Sequence, residues 1–312
     1  MSARSVVTVS WVCIIWGAGF SLMKVGLRYL PPFLYVGLRF AVTALLVGLL
    51  VWASGRSLRV PRRAWGRLAA ITAMFFLQQG AIFWGLTYTT AGRMGLLLNT
   101  QPIITAVLAH WFVAHDRLTW SKVLGLLLAV SGVFFVFRES FAHEAAGMRF
   151  GDVLALIAAV SWGAQNIVTK HIVQDMRPAA ITTWQAGISS LLFFATALLV
   201  GTGPLPRRPL DLAFYGATAY IILVATVLGF VVWVYLIERN PPSRVTSFCF
   251  ITPIASLFFG WLLLGEALSP DVAVATVLVG AGIFIANHEW AGGSRQSAAH
   301  SPGGATGGAE NG

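Results

Sequence analysis

Long, continuous apolar stretches separated by short polar segments make up most of the chain. Each stretch is close to the roughly 20 residues with which a helix crosses a bilayer core, whereas the strands of a membrane barrel would alternate over about ten residues. Two sets of five stretches occur, at 6–23, 34–52, 68–87, 94–113 and 118–137, and then at 153–169, 179–200, 212–236, 245–264 and 272–287. The pattern therefore predicts an all-α membrane protein with ten transmembrane helices.

The two sets of stretches are copies of one unit. The phrase WGAGFSLMK at residues 16–24 returns as WGAQNIVTK at residues 162–170, and the tripeptide QPI at 101–103 is echoed by TPI at 252–254. Because each copy holds five spans, an odd number, the second copy enters the membrane from the opposite side. We therefore expect two inverted-topology five-helix repeats, at residues 1–145 and 146–290, followed by a tail at 291–312.

The composition agrees with a membrane protein, since 57% of the residues are apolar and only 10% are charged, far below the roughly 25% of a soluble domain. The first stretch follows a single Arg4, is longer than a typical signal core and lacks a small-x-small cleavage site. We expect a retained anchor rather than a cleaved signal peptide. The tail is rich in Gly, Ala and Ser without apolar periodicity, which predicts disorder.

The distribution of lysine and arginine predicts the orientation. When the loops are assigned to alternate sides, one side holds thirteen of these residues and the other seven, with Arg39 inside the second span. Since cytoplasmic loops carry the excess of positive charge, both termini are expected in the cytoplasm. The net charge of +10 mainly reflects this asymmetry rather than a nucleic-acid-binding surface, and it adds a weak attraction to anionic lipid.

Polar side chains at membrane depth are costly, so they tend to face a cavity or a partner helix. Amides and aromatic residues recur inside the apolar stretches, and together they could line a path suited to a zwitterion or a polar metabolite. The alternative is hydrogen bonding between helices, worth about 0.6 kcal/mol on average in membranes. The candidates are Gln78, Gln79, Asn99, Gln101, Gln165, Asn166, Gln185, Trp16, Tyr88, Trp162, Trp184 and Trp233.

Two prolines and five charged residues complete the candidate set. Pro102 and Pro253 each remove a helical hydrogen bond, so they are expected to kink their helices at corresponding points and to act as hinges. The charged residues near predicted helix ends are Lys24, Arg39, Asp116, Lys170 and Glu266. The two lysines could anchor at the interface or bind a carboxylate, and Arg39 could reach the outer surface or form part of a vestibule for anionic groups.

Nothing in the sequence predicts an enzyme, a metal or a cofactor. Cys13 and Cys249 lie in apolar stretches without a CxxC motif, which indicates packing residues, and the six histidines form no HExxH pattern. All eleven acidic residues are expected at helix ends, in loops or in the tail. We therefore expect no mid-membrane carboxylate, which favours a facilitator or coupling through a terminal acid or a backbone site.

The motifs resemble those of the EamA family of the drug/metabolite transporter superfamily over residues 6–287. The resemblance rests on WGxxFxxxK and WGxxNxxxK at the start of each half, on the two Pro-Ile helices that end near Asp116 and Glu266, and on the glycine-containing helices that follow them. It implies a ten-helix bundle of two inverted repeats in a bacterial inner membrane that exports amino acids or other small metabolites. His115-Asp116 departs from the usual Gly-Glu, so any charge partner there is uncertain.

The functional hypothesis is a secondary transporter that exports amino acids or related small polar metabolites by alternating access. The alternatives are a sugar-phosphate or drug transporter of the same superfamily, or a non-transporting membrane protein that binds lipid or a partner protein. The loops are short, which argues against a docking domain. The expected partners are a small-molecule substrate and the bilayer, with a homo-oligomer left open and no nucleic acid.

Overall fold

The computed structural model describes residues 3–113, 119–142, 146–201, 205 and 208–288. This part of the chain is helical and contains no strand. Its α-helices are α1 Ala3–Leu27, α2 Pro32–Ala53, α3 Trp65–Gly85, α4 Ala91–Leu98, α5 Gln101–Phe112, α6 Trp120–Ala142, α7 Ala146–Ile172, α8 Pro178–Val200, α9 Leu212–Ala219, α10 Gly229–Arg239, α11 Pro242–Thr246, α12 Ile251–Leu264 and α13 Pro270–His288.

Six helical segments of the described chain are long and apolar enough to cross a membrane. They are Ala3–Leu27, Pro32–Ala53, Arg62–Gly85, Gly147–Ile172, Pro178–Val200 and Leu212–Arg239. The other four predicted spans fall on the pair α4 and α5, on α6, on the segment from α11 to α12, and on α13. The all-helical membrane fold is confirmed with six membrane-length helices, and the count of ten spans stays a prediction.

The α-helical structure is interrupted just before each of the two prolines that are predicted to kink their helices. Asn99 and Thr100 separate α4 from α5, and Pro102 lies in the first turn of α5. In the second half, the 3-10 turn Ser247–Phe250 leads into α12, where Pro253 again lies in the first turn. A proline lacks the N–H that would continue the hydrogen-bond ladder, so a helix readily restarts at that point.

The glycines of the repeated phrase allow two close helix crossings. A β-carbon added at Gly17 in α1 would lie 2.4 Å from the Cβ atom of Ala255 in α12. At Gly163 in α7 it would lie 2.7 Å from the Cγ2 atom of Ile104 in α5. Small residues let helices approach where lipid supplies no hydrophobic driving force. The first helix of each half therefore packs on the proline-containing helix of the other half.

A π-helical segment, Tyr220–Leu228, joins α9 to α10. In this wider helix the hydroxyl of Thr226 donates to the carbonyl of Ile221, five residues earlier, at 2.7 Å. The carbonyl of Ala225 accepts a hydrogen bond from the indole of Trp16 at 2.8 Å. Such segments are rare and often occur at functional sites.

A capping contact links α9 to the turn after α1, outside the membrane-length helices. The carboxylate of Asp211 accepts from the backbone N–H of Phe214 at 3.1 Å and from the hydroxyl of Tyr29 at 2.7 Å. These bonds, chiefly the one from Tyr29, favour the charged carboxylate and hold the pKa of Asp211 below its ordinary value of 3.8.

We expect the Asp211 cap to stabilise the fold at neutral pH and to stop doing so in acid. Because the pKa is lowered in the folded state, the contribution is complete above the unfolded pKa and disappears as the pH falls through the folded one. Asp211→Asn should therefore lower the melting temperature of the purified protein near pH 7, and this difference should shrink near pH 3. A difference that is independent of pH would contradict the assignment.

Candidate functional site

A cavity lies between the helices and is formed by both halves of the chain. Its empty volume, including the part open to solvent, is about 620 Å³. Helices α1 to α4, α7, α8, α10 and α12 contribute to its wall. The lining residues are Trp16, Phe20, Met23, Arg39, Phe75, Gln78, Gln79, Ile82, Leu98, Trp162, Gln165, Gln185, Phe230, Trp233, Val234 and Thr252.

Three tryptophans form an aromatic cluster on one side of the cavity. The ring centroid of Trp16 lies 5.2 Å from that of Trp162 and 5.0 Å from that of Trp233, and the last two rings are 5.6 Å apart. The indole of Trp16 donates to the carbonyl of Ala225, and that of Trp233 donates to the Oδ1 atom of Asn166 at 3.1 Å. With both of these N–H groups satisfied, the rings present apolar surface to the cavity.

Amide and hydroxyl groups supply the polar part of the wall. The Nε2 atom of Gln185 donates to the carbonyl of Ile71 at 3.1 Å. The Oε1 atoms of Gln79 and Gln165 and the Oγ1 atom of Thr252 are buried without a hydrogen-bond partner in the described structure. An unpaired buried polar atom costs about 1–3 kcal/mol, so these three atoms are positions where a bound molecule would gain by donating hydrogen bonds.

Arg39 is the cationic residue of the cavity wall. Of the two alternatives expected for it, the structure contradicts the one in which its side chain reaches the outer surface. The residue is 1% exposed. Its Nε atom donates to the hydroxyl of Thr226 at 2.7 Å, and its Nη1 atom lies 3.8 Å from the sulfur of Met23. Counting positions from the helix end suggested snorkelling, but this face of α2 packs inward against α1 and the π-helical segment.

Aromatic rings rather than carboxylates surround the Arg39 guanidinium. The rings of Phe40, Phe83 and Phe230 lie 4.9, 5.5 and 5.9 Å from its central carbon. Within the described ranges, no Asp or Glu lies at ion-pair distance from it. A buried charge is costly unless it is paired, so this cation is the strongest electrostatic feature of the cavity.

Three of the predicted amides, Asn99, Gln101 and Asn166, do not line the cavity, and two of them join helices. The Nδ2 atom of Asn166 donates to Gln101 Oε1 at 3.1 Å and lies 3.3 Å from the hydroxyl of Thr105, which connects α7 to α5. The Nε2 atom of Gln101 lies 3.5 Å from the sulfur of Cys249. Asn99 donates to the carbonyl of Gly95 at the helix break, at 2.6 Å. The interhelical alternative therefore describes Asn166 and Gln101, whereas Asn99 bonds within its own helix.

Trp184 and Tyr88 also lie outside the cavity wall. The indole of Trp184 donates to the carbonyl of Leu58 at 2.7 Å, and its ring packs on Trp65. Tyr88 is 44% exposed, and its ring centroid lies 5.2 Å from that of Phe150. Both residues serve loop and helix-end packing.

The two lysines of the repeated phrase have different partners. Lys24 donates to Glu266 Oε1 at 3.1 Å and to the carbonyl of Thr89 at 2.8 Å. The same carboxylate accepts from the backbone N–H groups of Ala91 and Gly92, at 2.8 and 3.2 Å, where a helix N-terminus favours negative charge. We call these five residues the Lys24–Glu266 network; it ties the ends of α1 and α4 to the segment before α13.

Lys170 caps the carboxyl end of α10. Its Nζ atom donates to the carbonyls of Ile237, Glu238 and Asn240 at 3.1, 3.0 and 3.2 Å. Because these carbonyls lie at the end of the helix, Lys170 interacts favourably with the helix dipole.

The other predicted acid, Asp116, lies outside the described residues.

The expectation that every acid lies at a helix end or in a loop is wrong for Asp152. Helix α7 begins at Ala146, so Asp152 lies inside it and is 0% exposed. It forms an ion pair with Arg93, which is 3% exposed and also donates to the carbonyl of Val136 at 2.7 Å. Thr89 donates its hydroxyl to Asp152 at 2.8 Å. The apolar stretch starting at residue 153 concealed this pair because the preceding polar residues are also helical.

Sequence reasoning missed the apolar half of the cavity wall, although helical spacing carried a signal for it. Phe20 and Met23 follow Trp16 by four and seven residues, so all three share one face of α1. The same spacing adds Phe75 and Ile82 to the two glutamines of α3. The polar candidates thus indicate which face of each helix lines the cavity, and the apolar lining residues lie on that same face.

A sequence model of the EamA-like transporter family matches this chain twice, over residues 4–138 and 149–288. "Uncharacterized transporter YoaV" of Bacillus subtilis (strain 168) is 26% identical over 278 residues, which cover 88% of this chain and 93% of the relative. A "Probable amino-acid metabolite efflux pump" of Salmonella typhimurium (strain LT2) is 31% identical over 281 residues, 88% of this chain and 91% of the relative. A protein with the same description from Escherichia coli (strain K12) is 29% identical over 292 residues, which cover 91% of this chain and 95% of the relative.

A solved crystal structure also shares the fold. It aligns with a TM-score of 0.70 over 92% of this chain and 98% of its own, at 18% sequence identity. The backbone arrangement described above is therefore one that a chain of 18% sequence identity also adopts.

Proposed function

The chain belongs to the EamA-like transporter family, and from this premise we propose that it is a secondary transporter that exports amino acids or related small polar metabolites. The observation that carries the proposal is the cavity, whose wall is shared between the two matched segments. A site between two halves is exposed to alternate sides when the halves rock against each other. Two relatives that this chain resembles at 31% and 29% identity are named amino-acid metabolite efflux pumps, which supports the substrate class.

We propose that the halves are inverted repeats with ten spans in all, at residues 1–145 and 146–290, with a cytoplasmic tail at 291–312. The reciprocal crossings at Gly17 and Gly163 and the breaks before Pro102 and Pro253 support this arrangement. The lysine and arginine distribution supports termini in the cytoplasm of a bacterial cell with the protein in its inner membrane. The two breaks are the proposed hinges, since they already interrupt the backbone ladder.

In this orientation the Lys24–Glu266 network lies at the outer end of the bundle. It joins α1 of the first half to the segment before α13 of the second, so it holds the halves together there. Opening the outer end would break the ion pair and expose the carboxylate and the α4 N-terminus to water. We propose that this network keeps the outer end of the bundle closed and breaks when that end opens during the transport cycle.

The function is tested by metabolite export followed by reconstitution. Culture medium from cells that overexpress the full chain is compared with medium from empty-vector cells, and any enriched amino acid is then measured by counterflow in proteoliposomes of purified protein. We expect one or a few amino acids to accumulate outside and to exchange across the vesicle membrane. If no small metabolite is enriched and none of the tested amino acids exchanges, the proposal fails.

A matched pair of variants separates the cavity from general effects on the protein. Trp16→Phe changes a side chain of the cavity wall and removes its hydrogen bond to Ala225. Trp11→Phe changes a residue of the same helix that is 61% exposed. We expect a several-fold loss of exchange for the first and none for the second. Equal effects would contradict the placement of the path.

Measuring exchange with and without an imposed pH gradient addresses the coupling. We propose a facilitator, or coupling through a terminal acid or a backbone site, because no carboxylate belongs to the cavity wall in the described structure. Net transport that requires the gradient strictly would rule out the facilitator.

A further inference from the structure

We propose that Arg39 binds a carboxylate group of the transported molecule, so that the cavity selects monocarboxylates with an apolar body over phosphate dianions and cations. This proposal rests on the proposed function, which it makes more specific. Among the lining residues of the described structure, Arg39 carries the single full charge, and no acidic residue accompanies it. The wall therefore has one positive charge to be neutralised.

The donors of Arg39 are arranged to receive a carboxylate. A guanidinium carries five N–H groups, and here Nε is engaged by the Thr226 hydroxyl, whereas Nη1 has the thioether sulfur of Met23 at 3.8 Å, a weak acceptor. A carboxylate can accept two parallel hydrogen bonds from a guanidinium, and such charge-assisted pairs are strong when water is excluded. A primary amide or an ester offers the same shape without the charge.

Thr226 is a positioning residue for this arginine. Its hydroxyl donates to the carbonyl of Ile221 at 2.7 Å and accepts from Arg39 Nε at 2.7 Å. Because the bond to Ile221, within the π-helical segment, uses the hydroxyl hydrogen, the oxygen is oriented to accept from Arg39. The three phenylalanine rings restrict the guanidinium further. A cation held in this way loses little side-chain freedom when an anion binds.

The surroundings of Arg39 predict what the rest of the ligand looks like. The ring of Phe230 lies 5.9 Å from the guanidinium carbon and 5.6 Å from the ring of Trp16, so the aromatic cluster begins one ring away from the charge. Apolar substrate groups would pack there. The unpaired oxygens of Gln79, Gln165 and Thr252 could accept hydrogen bonds from an ammonium group.

Charge arithmetic excludes the neighbouring ligand classes. A phosphate dianion would leave one negative charge uncompensated beside a single arginine, and an uncompensated buried charge is strongly unfavourable. A cationic drug would meet a buried like charge and no carboxylate. A carboxylate without a second charged group neutralises Arg39 completely. A zwitterionic amino acid also pairs its carboxylate with Arg39, and its ammonium group would donate to the unpaired oxygens of Gln79, Gln165 and Thr252, whereas the second negative charge of phosphate has no comparable cation in the wall.

The test compares each acid with its amide, which keeps the shape of the molecule but lacks the carboxylate charge. The melting temperature of the purified full-length protein in detergent is titrated with L-phenylalanine, L-leucine, 3-phenylpropionate, the amides of all three and inorganic phosphate. In the unaltered protein we expect at least one acid to bind about 10- to 100-fold more tightly than its amide, and phosphate to bind no better than the amides. In Arg39→Gln this preference should disappear, and in Arg39→Lys it should be partly restored.

Arg138→Gln is the matched control, because Arg138 is exposed and contacts Asp271 outside the cavity. It should keep the full preference for the acid. Equal binding of acids and amides by the unaltered protein would overturn the proposal, a comparison that holds even if Arg39→Gln does not fold. So would an Arg39→Gln protein that still prefers the acid. If amino acids are exported without this preference, only the Arg39 assignment fails; if nothing binds and nothing is exported, the proposed function fails with it.

Discussion

Replacing Asp152 with alanine is expected to lower the free energy of unfolding by about 3–5 kcal/mol, the typical cost of removing one member of a buried ion pair. Asp152 and Arg93 are both almost completely buried, and their pair connects α7 to α4. Asp152→Ala removes the carboxylate from Arg93 and also the acceptor of the Thr89 hydroxyl. The arginine would remain buried with a charge that lacks this counter-charge.

A second acid of the same type provides the control. Asp271 pairs with Arg138, but their side chains are 22% and 58% exposed, so Asp271→Ala should cost less than about 1 kcal/mol. Chemical unfolding of both variants in the same detergent measures the difference. The double variant Arg93→Met with Asp152→Leu should recover part of the loss, because it removes both charges together. Similar losses for the two single variants would contradict the structural role of the buried pair.

The buried pair and the Lys24–Glu266 network meet at one residue. The backbone carbonyl of Thr89 accepts from Lys24, while its hydroxyl donates to Asp152. The start of α4 is thus held from two sides, by Glu266 through backbone amides and by Asp152 through Arg93. If the outer end opens by breaking the Lys24–Glu266 pair, the Arg93–Asp152 pair would keep α4 attached to α7. The pair proposed to open is the more exposed of the two, with side-chain exposures of 29% and 12% against 3% and 0% for the other pair.

Apolar periodicity predicts the helices of this chain well, because lipid requires long apolar helices and leaves few alternatives. The prolines, rather than the periodicity, mark the places where these helices are irregular: a kink is expected at Pro102 and at Pro253, and the structure has a break just before each. Apolar periodicity cannot assign a polar residue to a cavity or to a helix contact. Gln101 and Gln165 look alike in sequence, yet one bonds to Asn166 and the other borders the cavity.

The charged residues show the limit of counting along the helix. Arg39 lies close in sequence to the start of α2, so its position alone would allow the side chain to reach the surface, although in the structure it is buried. Its direction depends on how α2 rotates against its neighbours, which is a tertiary property. Asp152 shows the same limit, since α7 begins at Ala146, before the apolar stretch, and packs against α3. Depth and direction of a charge both follow from packing.

Gly17→Ala is expected to destabilise the protein by about 1–3 kcal/mol and to impair export, because the added methyl group overpacks the crossing of α1 and α12. The new Cβ atom would lie 2.4 Å from the Ala255 Cβ atom and 2.9 Å from the backbone oxygen of Thr252. The first contact cannot be relieved by a side-chain rotation, so one helix must shift. Thr252 and Trp16 both line the cavity, and a shift at Gly17 therefore changes the site itself.

Gly19→Ala is the control, since it lies in the same helix and its Cβ atom would meet nothing closer than the Met23 Cε atom at 3.7 Å. This variant should be neutral or more stable by up to about 1 kcal/mol, the gain in helix propensity. Gly163→Ala, with 2.7 Å to Ile104, should behave like Gly17→Ala, because the second copy of the phrase makes the corresponding crossing with α5. The melting temperature and the export rate of all three variants test this explanation. Equal melting temperatures for the Gly17→Ala and Gly19→Ala proteins would mean that close helix approach is not the reason for the repeated Trp-Gly.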